Sequence, residues 1–366
     1  MSAAASRAIG TATGSAGCRS GQCPEPFGPV EIAVPRARLA AGDGTTREWR
    51  NAVLPRYARM TRQVEALIAG AYLSGTNTRR VGRALGALFR GAVGKDVVSR
   101  TWRKVKVDWG WAAKRTNGCR RDLAGEDAVR LILDGTVVRV RLDRKATAIS
   151  LLVVLGIRRD GQKVLLAVRN MGGESEAAWR AVLDDLVSRG LRPPEFLVID
   201  GAAGLERALT ALWPEVPTQR CTVHKHRNLL AHAPETLHEE VSADYTDMVY
   251  AATPKEIEAR RRAFLRKWRL KCRAVADSLE EAGERLFAFV RLPPSQWKSA
   301  RTTNAVERLH EEFKRRIKTQ TVLPSAETAA MLFWALLASG QITMRKVDGW
   351  QSLGQPPSNS TIDLAA

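Results

Sequence analysis

Two stretches of this 366-residue chain close an apolar run on an acid followed by glycine: LILDG, Leu131 to Gly135, and VIDG, Val198 to Gly201, within EFLVIDGAAGL. A buried strand fixes the oxygens of a carboxylate at its end, and the glycine behind it lets another group come close. Asp134 and Asp200 are therefore candidates for one site if their strands are neighbours. Carboxylates gathered at one sheet edge repel each other and stay ionised only around a cation, and an all-oxygen ligand set selects magnesium or manganese. A third acid could come from SARTTNAVERLHEEFKRRIKTQ, Ser299 to Gln320. There Glu307 falls in the first turn of a helix that Thr302, Thr303 or Asn304 would cap. By spacing alone Glu307 can equally be a capping or surface glutamate, and Glu311 and Glu312 compete with it.

These acids need a frame. From Ala128 the pattern is that of strands, Arg130 to Val140, Thr147 to Ile157 and Lys163 to Arg169, with RRDGQ (Arg158 to Gln162) as a hairpin turn. A helix from about Ser175 to Ser188 is stopped by Pro193 and Pro194. The strand carrying Asp200, a helix from Ala203 to Leu212 and a short strand from Thr218 to Cys221 follow. Three meandering strands, helix, strand, helix, strand is the element order of an α/β, ribonuclease-H-like mixed sheet. That topology sets the first and fourth strands side by side. Residues 229–292 read as a charged helical insertion. The catalytic unit is thus expected to comprise 126–228 and 293–345, the latter holding the Glu307 helix and an apolar helix from Ser325 to Ser339.

The front of the chain differs. Within 31–125, three short basic helices between Arg59 and Trp109 suggest an all-α helix-turn-helix region whose last helix carries Arg100, Arg103 and Lys104. Residues 1–30, rich in Ala, Gly and Ser, are expected to be a disordered lead with free thiols at Cys18 and Cys23, and 346–366 a disordered tail. The chain carries 58 Lys+Arg against 38 Asp+Glu, a net charge of +20, and residues 1–130 alone hold 23 basic against 10 acidic side chains. Such an excess favours a polyanionic partner. MLFWALLA, Met331 to Ala338, falls short of the roughly 20 residues that span a bilayer. No secretory signal is evident, and five scattered cysteines fit a reducing cytoplasm. Cys221, His224 and His226 have zinc-ligand chemistry but lack a fourth partner, so a structural role near the sheet is expected. His310 reads as a surface or DNA-contacting group.

VIDGAAGLERAL, QRCTVHKHRNLL and RTTNAVERLHEEFKRR, preceded by LILDG and GESEAAW, resemble in that order the Mutator-type transposases of bacterial insertion sequences, from about Pro29 to Gly340. The resemblance implies a DDE enzyme with a ribonuclease-H-like catalytic domain. Its catalytic and metal-binding residues are Asp134, Asp200 and Glu307, the last matched through the (S/T)NxxER pattern in preference to Glu311. Two Mg2+ or Mn2+ ions are the implied cofactors, and Cys221 and His224 match the family's C-x2-H element. It further implies cleavage and strand transfer on double-stranded DNA, at terminal inverted repeats and a target, by a homodimer or higher oligomer in the bacterial cytoplasm, associated with the nucleoid. The expected DNA contacts are Arg79, Arg80, Arg100, Arg103, Lys104, Lys314, Arg315 and Arg316. The alternative is a catalytically silent or domesticated DNA-binding protein of the same fold.

Overall fold

The structure, a computed structural model, describes residues 16–25, 28–40, 45–48, 62–73, 77–88, 94, 96–104, 122–142, 144–318, 322–323, 325–338 and 342–362. The chain divides into two units, 1–107 and 108–366.

In the first unit β1 (Ala16–Glu25), β2 (Gly28–Ala40) and β3 (Thr46–Glu48) form an antiparallel sheet in that order. This corrects the expected disordered lead at residues 16–25 and 28–30, residues 1–15 and 26–27 lying outside the described residues. It also places strands, β2 and β3, in the region expected to be all-α. Cys18 and Cys23 lie on a strand whose register pairs them with Pro35 and Val30. The β2 sequence alternates Val30, Ile32 and Val34, a period-two signal that the Ala, Gly and Ser content of the preceding residues masks. Three helices follow, α1 (Arg62–Leu73), α2 (Thr78–Leu88) and α3 (residues 96–104). They bury Val64, Ile68 and Tyr72, then Val81 and Leu85, then Val98 and Thr101, each series at helical spacing. Asn77 caps α2 by accepting the Arg80 N–H at 2.9 Å. Residues 105–121, where the last predicted helix would continue, lie outside the described residues.

The second unit is built on a five-stranded mixed sheet with the order β6-β5-β4-β7-β8. Its strands are β4 (Ala128–Leu142), β5 (Lys145–Arg158), β6 (Lys163–Met171), β7 (Phe196–Ile199) and β8 (Thr218–Arg220). The first three form an antiparallel meander, while β4 with β7 and β7 with β8 pair in parallel. All four residues of β7 are buried, as a central strand covered on both faces requires.

Leu131 and Leu133 of β4 and Leu197 and Ile199 of β7 share one core with Trp179, Val182 and Leu183 of α4 (Glu176–Ser188) and Leu205 and Leu209 of α5 (Ala203–Leu212). Alternate β4 residues face the other way: Arg130 reaches Gln296, and Asp134 reaches His310. After β8 come α6 (Thr222–Ala231), α7 (His238–Val249), α8 (Pro254–Lys271) and α9 (Arg273–Ala282), then the short α10 (Trp297–Ala300), α11 (Asn304–Ile317) and α12 (Ala326–Ala338). Both α11 and α12 pack on β4.

The expected disordered tail is also corrected. Val347 N–H donates to Gly161 O, Gln296 Nε2 donates to Ser352 O, and Leu353 and Ile362 are buried. Isolated apolar residues without periodicity gave no sign of this packing.

Candidate active site

The parallel register pairs Leu131 with Leu197, Ile132 with Val198 and Leu133 with Ile199. The next residue on each strand is an aspartate, so Asp134 and Asp200 leave neighbouring strands at the same level. Whereas β7 ends at Ile199, β4 continues to Leu142, so from Asp134 onward β4 has no β7 partner and a notch opens beside it. Gly201, just past Asp200, admits the Arg220 guanidinium, whose Nη2 lies 3.5 Å from Gly201 O.

The third acid comes from α11. Its stripe Val306, Leu309, His310 and Phe313 is buried, which turns the first turn of the helix toward the sheet and leaves Glu311 exposed. Glu312 is held away by Arg315 at 2.9 Å. Glu307 lies at the site: Thr303 Oγ1 donates to its Oε1 at 3.4 Å, His224 Nδ1 is 3.4 Å from that oxygen, and Arg227 Nη1 is 3.8 Å from it. Thr303 occupies the N-cap position, yet its hydroxyl makes no cap bond. It points instead into a cluster with Cys221 Sγ and His224 Nδ1, each at 3.4 Å.

Electrostatics tie the three acids together. Burial, then the charge of Asp200 and, more weakly, that of Glu307 push the Asp134 carboxyl up to about 7, against an opposing pull from His224. Its side chain is only 7% exposed and meets the His310 ring, Nδ1 to Oδ2, at 3.6 Å. His310 brings no compensating charge, since burial and then Lys314 lower its pKa to about 3. The expectation of a surface His310 is therefore corrected; the residue belongs to the buried stripe of α11 and stacks edge-on to Phe333. A hard, all-oxygen set of mutually repelling carboxylates, one of them buried, fits a divalent cation such as Mg2+ or Mn2+.

Cys221, His224 and Glu307 also offer ligand atoms within 4.8 Å of one another. Thiolate and imidazole suit zinc, but three donors leave a tetrahedral shell incomplete. Cys221 Sγ already accepts from the Thr303 N–H. Although burial opposes it, hydrogen bonds from His224 and Thr303 hold the Cys221 thiol below its ordinary pKa. The bond to Cys221 is also the main cause that raises His224 to about 9, with smaller contributions from Asp134 and Glu307. His226 stands apart from this cluster, stacked on Tyr245 and bonded to Ser242.

Of the expected DNA contacts, Arg79, Arg80, Arg100, Arg103, Lys104, Lys314 and Arg315 are exposed and Arg316 is partly covered. Lys104 is engaged by Glu65 at 2.7 Å.

Such an arrangement defines a mixed α/β protein in which aspartates follow equivalent positions of two parallel-paired strands and a helix carries Glu307 within reach of Asp134's charge. The chain belongs to the Mutator family of transposases, whose pattern it matches over residues 6–344. It is 30% identical over 309 residues to the transposase for insertion sequence element ISRM5 of Rhizobium meliloti, a match covering 84% of this chain and 74% of that protein. With the transposase for IS905 of Lactococcus lactis it shares 27% identity over 312 residues, 85% of this chain and 75% of the relative.

Proposed function

We propose that the chain is a DDE transposase with a ribonuclease-H-like catalytic domain, cutting and joining DNA at the terminal inverted repeats of its own element. The observation that carries this reading is the parallel register that sets Asp134 beside Asp200, with Glu307 close enough for its charge to be felt at Asp134. In this reading Asp134, Asp200 and Glu307 hold two Mg2+ or Mn2+ ions. When bound, the ions supply Lewis acidity to the scissile phosphate and make the attacking hydroxyl or water acidic enough to lose its proton near neutral pH.

The chain's own residues position the partners. Two strand ends fix the aspartate oxygens, and α11 brings Glu307 against them. The hydroxyl of Thr303 and the His224 ring hold the Glu307 carboxylate in place. Exposed cations on α11, Lys314 and Arg315, lie along the same helix to meet phosphates next to the cut. The helices α1 to α3 act as a helix-turn-helix, presenting Arg79, Arg80, Arg100 and Arg103 to the end sequence. Association of two or more copies on DNA would bring the element's ends together.

The test is Asp200→Asn with labelled DNA of the chain's own locus. The variant is expected to lose strand cleavage in Mg2+ while binding the ends nearly as well as the unaltered protein. Undiminished cleavage by it would remove the basis of this reading.

A further inference from the structure

Gly135 marks a second carboxylate approach. A β-carbon built there would lie 2.1 Å from Glu174 Oε1 and 2.4 Å from Glu174 Cδ, so the carboxyl group occupies the space a side chain at 135 would need. Glu174 immediately precedes Ser175, the N-cap of α4. Its backbone is pressed against the start of α5, for a β-carbon on Gly204 would come within 2.9 Å of Glu174 O. The elements that flank Asp200 in the sequence thus hold Glu174 in place.

Successive strand residues point to opposite faces. Asp134 enters the notch beside β4 from the α11 face, while Gly135 opens on the face covered by α4 and α5. Across that opening Glu174 reaches toward Asp200, whose charge, after burial itself, raises the Glu174 carboxyl above its ordinary pKa. Among the described residues Glu174 has no hydrogen-bond or ion-pair partner for its side chain. On the opposite face the 7%-exposed Asp134 side chain meets the neutral His310 ring at 3.6 Å and accepts from the Gly135 N–H. A buried carboxylate and a half-buried one thus flank the same stretch of β4 from its two faces, and both feel the charge of Asp200.

We propose that Glu174 is a fourth acidic ligand of the divalent-cation site, reaching it over Gly135 from the face opposite Asp134 and Glu307. The inference rests on the cation-binding reading above and extends it. It assigns a purpose to the glycine of LILDG, since any larger residue there would displace the carboxylate, and it assigns one to the glutamate of GESEAAW.

Mn2+ serves as the probe, its binding to the full-length protein followed without DNA by the loss of the free-ion electron paramagnetic resonance signal. Melting in EDTA is recorded alongside. Glu174→Gln is expected to weaken Mn2+ binding by about 10- to 100-fold with no fall in the EDTA melting temperature. Gly135→Ala, which pushes the carboxylate away, should weaken it comparably, and Asp200→Asn provides the reference for a damaged site. If Glu174→Gln binds Mn2+ as tightly as the unaltered protein while Asp200→Asn does not, this inference is overturned and the three-acid reading stands. Absence of saturable Mn2+ binding by the unaltered protein would sink both. A lowered EDTA melting temperature with unchanged Mn2+ affinity would make Glu174 a fold-stabilising residue and overturn the inference as well.

Discussion

Asp134 carries an electrostatic penalty that can be measured without any DNA. Its carboxyl titrates near 3.8 in an unfolded chain and near 7 in the folded one, because burial and then Asp200 and Glu307 disfavour its charge. The folded state therefore holds this proton more tightly, and its stability falls as pH rises from about 4 to about 7, levelling off above that. Asp134→Asn removes the charge and keeps the shape. In EDTA at pH 8 the variant should be more stable than the unaltered protein by on the order of 2 kcal/mol, and the two should converge near pH 4. Urea unfolding at the two pH values reads this directly; equal stability at both would mean that the three acids do not crowd one another. Addition of Mg2+ at pH 8 should raise the melting temperature of the unaltered protein and leave that of Asp134→Asn nearly unmoved, because the cation relieves repulsion only where there is charge to neutralise.

At the scale of elements, the helical insertion is fastened to the sheet by Gln219 of β8, which donates to Leu286 O and accepts from the Phe289 N–H, and by the carboxylate of Glu281. Glu281 near the end of α9 accepts from Arg220 of β8 at 2.8 Å and from Lys225 of α6 at 3.0 Å, and the Lys225 side chain is only 2% exposed. Burial lowers the Lys225 pKa, and Glu281 opposes that. Glu281→Ala leaves a buried ammonium without its partner and should cost about 1–3 kcal/mol in urea unfolding; no measurable loss would show that the Gln219 bonds and the apolar contacts of α9 hold the insertion without it. This fastening was not legible from sequence, since β8 and α9 are far apart in the chain and only the fold joins them. What could be read was local: the period-two runs of β4 to β6, the Pro193 and Pro194 stop after α4, and the apolar run of β7 that ends on Asp200. His310 was misplaced because a histidine in a charged stretch looks exposed, although its spacing from Val306 and Phe313 sets it on the buried stripe. Glu174 was missed for a different reason. Its position matters only beside Gly135, and a pair of that kind appears in no single stretch. The β1 and β2 hairpin shows the converse, where composition averaged over the lead outweighed a short alternation that was present.

Over the whole molecule, charge is distributed unevenly, and DNA binding should inherit that unevenness. The net charge is +20, and residues 1–130 contribute 23 basic against 10 acidic side chains. Each phosphate neutralised by a cation releases counterions, so the logarithm of the binding constant falls with that of salt concentration by about 0.9 per contact on duplex DNA. Exposure alone does not identify the contributors. In α3 Lys104 is already paired with Glu65, and in α11 Arg315 is paired with Glu312, whereas Arg79 and Arg80 on α2 and Arg100 on α3 are exposed. Replacing Arg79, Arg80 and Arg100 together by alanine should flatten the salt dependence of end binding by about 2–3 units of slope. Lys104→Ala should change it less, because the freed Glu65 and the lost cation were already offsetting each other. The measurement is binding of labelled end DNA across a salt series for each variant. A triple variant with an unaltered slope would place the phosphate contacts outside α2 and α3 and leave the remaining cations of the chain to supply them.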